Sequence, residues 1–80
     1  MKKVKLIQRI ANNPRDVRFS DFTKAMAQCG WTLRPGKGSH QIWTHEDRGF
    51  IPAQSLPNGK AKQYQVEAFL KWLDERGLIQ

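Results

Sequence analysis

The stretch RPGKGSH, residues 34–40, gathers Arg34, Lys37 and His40 around Gly36 and Gly38. An unperturbed imidazole titrates near ~6.5, so His40 can take and give a proton at neutral pH. Arg34 and Lys37 lie within a few residues of it and can hold a phosphate while negative charge builds. Gly36 and Gly38 remove side-chain bulk, which lets a polymer backbone approach, and the backbone N–H groups of Gly38 and Ser39 can assist in holding a phosphate. These residue types suit RNA cleavage. A base removes the proton of a 2′-hydroxyl, its oxygen attacks the neighbouring phosphorus, and an acid protonates the leaving 5′ oxygen. The RNA supplies its own nucleophile, so this chemistry needs no metal or other cofactor and leaves DNA uncut. The plain alternative is an exposed histidine at a strand edge with no chemistry, and residue types alone favour that alternative.

Other chemistries fit less well. His40 and His45 are five apart, so an extended chain points them to opposite faces, and the sequence holds neither CxxC nor HExxH. GKGS superficially matches a nucleotide-binding loop but lacks the four residues before its Gly-Lys pair and the helix after it. Cys29, the only cysteine, permits no intrachain disulfide, which fits a reducing cytosol; it reads as a small buried hydrophobe rather than a reactive thiol. The first residues lack an apolar stretch long enough for a signal peptide, and no segment is apolar enough to span a bilayer.

With 80 residues the chain reads as one domain, residues 1–80. A domain of that size buries only roughly 60–65% of the surface its unfolded chain exposes. Its net charge of +7 is unevenly spread. Lys2, Lys3, Lys5, Arg9, Arg15 and Arg18 face only Asp16 in the first quarter, whereas the second half sums to zero. Such a one-sided field attracts polyanions, nucleic acid first among them.

The elements that must position this turn follow from periodicity. KKVKLIQRIANN reads as a short amphipathic helix with Val4, Ile7 and Ala11 on one stripe, Leu6 and Ile10 beside it, and Pro14 closing it. Helices this short and basic pack on their own domain more often than on a membrane. A second helix carries Phe22, Ala25, Met26 and Cys29 on one face, with Ser20 as expected N-cap, Phe19 before it and Gly30 as the stop. The period then changes to two. WTLRP alternates, PGKG is a turn, SHQIWT is a second strand, HEDRG a second turn, and FIPA a third strand whose Pro52 suggests an edge. The loop LPNGKAK leads into YQVEAFLKWLDERG, a helix with Val66, Phe69, Leu70 and Leu73 on one face, Gly77 as its stop, and Trp72 on the flank, where a core role is favoured over a partner contact. The expected architecture is α+β: a three-stranded antiparallel meander with the two later helices on one face and the other face open to a basic partner surface. If Ile42 is core, His40 must lie beyond the helices' edge; if Trp43 is core, His40 lies on the open face.

A strand-like lead-in VRFSDF, a helix ending in Cys-Gly-Trp, the RPGKGSHQIW segment and the helix start AKQYQVEAFLKWL together resemble HicA-type toxins of bacterial toxin–antitoxin pairs. The match spans about residues 17–76, and Gly-Ser-His followed by apolar strand residues is its most specific part. Residues 1–16 form an extension outside a HicA-like core of residues 17–80. The resemblance implies a double-stranded-RNA-binding-like fold, a cytoplasmic mRNA endonuclease that blocks translation, a catalytic histidine at His40 and a HicB-type antitoxin that covers the site. It makes acid/base catalysis the favoured reading of His40, with Arg34, Lys37, Gly38 and Ser39 on the RNA. One proton-transfer role stays open, to water, Ser39, a lysine or, less favoured, His45. Two rival classes remain: a non-catalytic RNA-binding module, which reads A-form shape, and a protein-interaction domain whose basic face meets an acidic partner.

Overall fold

The computed structural model describes residues 3–35 and 40–79. The elements run α1 (Lys3–Asn12), α2 (Phe19–Gln28), β1 (Thr32–Pro35), β2 (Gln41–His45), β3 (Gly49–Ala53) and α3 (Gln63–Glu75). The strands form one antiparallel sheet in the order β1-β2-β3, so Pro52 does lie on an edge strand. The architecture is α+β, with an open three-stranded sheet covered by helices on one face.

Strand alternation selects the covered face. Directly paired residues point to the same side of a sheet. Leu33, Trp43 and Ile51 pair across the three strands, and Trp43 and Ile51 are 7% and 3% exposed. In β3, Gly49, Ile51 and Ala53 are buried while Phe50 and Pro52 are exposed. Phe22, Ala25 and Met26 of α2 and Val66, Phe69, Trp72 and Leu73 of α3 complete the core. Phe69 meets both Phe22 and Trp31 edge to face, at ring separations of 6.0 and 5.9 Å. Full burial of one such ring stabilises the fold by about 1.5–3 kcal/mol. Trp72 takes its favoured role as core, whereas Leu70 is only half-buried. Cys29 is likewise half-buried, packed against the core rather than within it. The N-terminal helix buries Leu6, Ile7 and Ile10, while Ala11 stays partly exposed.

Gly30 and Gly77 end their helices by the same device. Each has positive φ, at 88° and 67°. Gly30 and Trp31 donate to the carbonyls of Ala27 and Met26, and Gly77 and Leu78 donate to those of Asp74 and Leu73. This pair of bonds satisfies carbonyls that a helix end otherwise leaves open. At Gly30 it also turns the chain so that Trp31 returns onto the core.

The start of α2 differs from the expectation. Phe19 is the first helical residue and Arg18 the N-cap, with no side-chain capping bond, so Ser20 does not cap. The reason lies some forty residues downstream. Phe19 N–H donates to the Gly59 carbonyl, Ala61 N–H donates to that of Val17, and Arg18 bridges Lys60. A backbone partner from the 55–61 loop thus fixes the first turn where a local hydroxyl was expected to do so.

Candidate functional site

The face of the sheet opposite the helices is uncovered. It carries Thr32 and Arg34 from β1, Ile42 and Thr44 from β2, and Phe50 and Pro52 from β3, in two rows set by pairing: Arg34–Ile42–Pro52 and Thr32–Thr44–Phe50. All six are exposed or half-exposed, and none is acidic.

His40 directly precedes β2 and is exposed. Burial of Trp43 resolves the two placements open from the sequence: continuing the alternation one residue upstream puts His40 on the open face with Ile42 and Thr44. Arg34 pairs with Ile42 on that same face and is exposed. One strand spacing and two residues separate Arg34 from His40, on the order of 8 Å between Cα atoms and within reach of an arginine side chain. Beneath them, on the covered side, Trp43 Nε1 donates to Gln41 Oε1 at 3.0 Å and pins the start of β2. Lys37, Gly38 and Ser39 lie outside the described residues.

His45 does not join this site. It occupies the far end of β2, about 16 Å away at strand rise, on the face shared with Trp43. Its ring packs against Trp72 and Trp31 at 4.5 and 5.9 Å, and its Nδ1 accepts the Asp47 N–H at 2.9 Å. This placement sets His45 apart from His40 and Arg34.

The charge distribution also corrects an expectation. Lys5 and Arg9 sit on α1, Lys24 on α2, and Arg15 and Arg18 on the segment between them. The excess cations of the first half thus lie on the helical layer and its connection, where helix faces turned from the core must be polar. Among the described residues the open sheet face carries Arg34 and His40. Among the described residues four acids are paired elsewhere: Asp16 with Lys60, Asp21 with Arg9, and Asp47 and Glu75 with Arg76. Arg76, hydrogen-bonded to the Asp47 carboxylate, lowers its pKa below the usual value.

Phe50 is the open-face residue that sequence reading passed over. It is 65% exposed, and GFIPA read only as a strand with an edge proline. The available signal was register: once Ile51 is core, Phe50 must face outward. Among the described residues no group of three His, Cys, Asp or Glu side chains is placed to hold a metal, and no helix is long and apolar enough to cross a membrane.

A family model described as the HicA toxin of bacterial toxin–antitoxin systems matches residues 19–74, from the first residue of α2 to the last turn of α3. No curated protein and no solved structure gave a significant match.

Proposed function

The chain belongs to the HicA toxin family, the toxin half of a bacterial toxin–antitoxin pair, and we propose that it acts by cutting messenger RNA. Membership implies a HicB-type antitoxin as its partner. In the proposed reaction His40 serves as general acid/base. The 2′-hydroxyl loses its proton, its oxygen bonds to the adjacent phosphorus, and the bond to the 5′ oxygen breaks as that oxygen gains a proton. The products are a 2′,3′-cyclic phosphate and a 5′-hydroxyl. Arg34 and Lys37 hold the phosphate and oppose its growing charge, with the Gly38 and Ser39 backbone assisting. Water, Ser39 or a lysine takes the second proton-transfer role.

The observation that supports this reading best is the position of His40. It is exposed at the start of the central strand, on the uncovered face that Arg34 shares. No described helix or strand covers that residue. The test is induction of the wild-type chain and of His40→Ala in bacteria, with end-labelling of RNA fragments made in vitro. Growth arrest lost in the variant, with cyclic-phosphate and 5′-hydroxyl ends from the wild type, is the expected result. Equal arrest by both chains removes His40 from the mechanism, and 3′-hydroxyl with 5′-phosphate ends replace it with metal-assisted hydrolysis.

A further inference from the structure

We propose that the open sheet face is a platform for single-stranded RNA, on which Phe50 stacks an unpaired base a few nucleotides from the phosphate held at His40. This rests on the proposed function and names the substrate class it takes.

Phe50 lies outside the buried core. The core position in β3 belongs to Ile51, and the ring across from Thr44 stands on a face that no helix covers. Leaving a phenylalanine in water forgoes about 1.5–3 kcal/mol that burial supplies, so an exposed ring gains most by meeting a flat apolar partner. Its surroundings select that partner. Thr44 and Thr32 complete its row, Ile42 and Pro52 flank it, and Arg34 and His40 supply the only ionisable groups among the described residues of the face. A small-residue surface with one aromatic ring, one fixed cation and no carboxylate complements a nucleobase joined to an anionic backbone.

The spacing fits. Thr44, opposite Phe50, is four residues from His40, so Phe50 lies about 13 Å along the strand and one strand spacing across. That is about two to three nucleotides of an extended strand. Duplex RNA suits this face less well than a single strand. Its bases are stacked on both faces and show only their edges, in a deep, narrow major groove and a wide, shallow minor groove, so no base face is free to meet the ring. In-line attack by a 2′-hydroxyl also needs the backbone to leave the A-form, which a splayed single strand does readily.

The experiment uses the wild-type chain and a 12-nucleotide RNA of mixed sequence carrying 2′-O-methyl groups, which lacks the nucleophile whichever residue would activate it. Its binding is followed by fluorescence anisotropy as a single strand and annealed to its complement. The single strand should bind at least ten-fold tighter than the duplex. Phe50→Ala should weaken single-strand binding about 5- to 100-fold, the range for loss of one stacked base, and should leave the salt slope unchanged, because no charge is removed. Arg34→Ala should instead lower that slope by about 0.7, as for one phosphate contact to a single strand. Phe50→Tyr should keep wild-type affinity. Tyr64→Ala, which removes an equally exposed ring from α3, should have no effect. Equal binding of strand and duplex, or a Phe50→Ala chain that binds as the wild type does, overturns the platform and leaves the His40 chemistry to its own test. Failure of the wild type to bind RNA in either form overturns both. A Phe50 that serves the antitoxin instead gives the unchanged RNA affinity that refutes the proposal.

Discussion

Two histidines bracket one five-residue strand, and their surroundings have almost nothing in common. His45, at the end of β2, is wedged between Trp31 and Trp72 and takes a hydrogen bond from the next turn. Glycines stand where its neighbours leave no room: a Cβ at Gly30 would come within 3.3 Å of His45 Nε2, and one at Gly49 within 2.5 Å of His45 Cβ. His40, at the start of the same strand, is exposed on the other face, and no bond from a described residue fixes its ring. One imidazole is a packing piece and the other is open to solvent. The residue type is identical; strand parity and the side on which the helices lie assign the roles.

Exchanging the two by mutation is the sharpest way to break that contrast. His40→Ala should cut the RNA cleavage rate by about 10²–10⁴-fold, the usual contribution of a general acid/base, with an unchanged urea midpoint. His45→Ala should do the reverse. It should lower stability by about 1–2 kcal/mol, through lost ring packing, while the folded fraction cleaves at the wild-type rate. Loss of cleavage in a fully folded His45→Ala chain would erase the distinction.

Tightness around His45 can be probed without touching the ring. A Cβ at Gly49 would also lie 2.8 Å from Trp31 Cη2 and 3.0 Å from His45 N. Gly49→Ala should therefore cost about 1–3 kcal/mol, as overpacking does, read as a lower urea midpoint. Gly59→Ala meets no atom within 4 Å and suffers only from its φ of 83°. Its cost should be the smaller, about 1 kcal/mol. Equal losses would mean that crowding at His45 costs no more than the left-handed backbone at Gly59.

The same contrast marks what the sequence reveals. Gly30 and Gly77 were readable as stops because a left-handed residue after a periodic run has few other uses. The alternation of WTLRP and the edge proline of FIPA were readable for similarly local reasons. Ile42 and Trp43 were not separable: both are large and apolar, they are adjacent, and a strand alone gives either parity. Trp43 is core because it lies on the central strand beside Ile51, beneath helices that no local pattern locates; its other partner, Leu33 on β1, stays exposed. Ser20 misled for the converse reason. It is a good cap by type, but Gly59 and Ala61 from a distant loop had already set the start of α2. His40 and Arg34 were legible as candidate residue types, yet which face of the sheet they share, and that Phe50 stands on it too, needed the register of all three strands.

The smallest expected effect concerns the turn that ties His45 to α3. Asp47 donates its N–H to His45 Nδ1, its carbonyl accepts from Trp72 Nε1 at 2.9 Å, and its carboxylate accepts from Arg76 Nε at 2.6 Å. The Arg76 guanidinium also lies over the Trp72 ring, 4.2 Å from its centroid. The hydrogen bond from Arg76 holds the Asp47 pKa below its unfolded value of 3.8. A group whose pKa is depressed by folding stabilises the fold fully above the unfolded pKa, and that contribution disappears as pH falls through the folded pKa. Asp47→Asn should therefore lower the urea midpoint slightly at pH 7, and the two chains should converge as pH drops below 3.8 and on through the folded pKa. Every other titrating group is common to both chains, so the difference between their midpoints isolates this carboxylate. The pair is exposed to solvent, so 1 M salt should shrink the pH 7 difference further. A gap that persists at the lowest pH would show that Asp47 holds the turn through its shape and backbone bonds, and that its charge contributes nothing to keeping His45 in place.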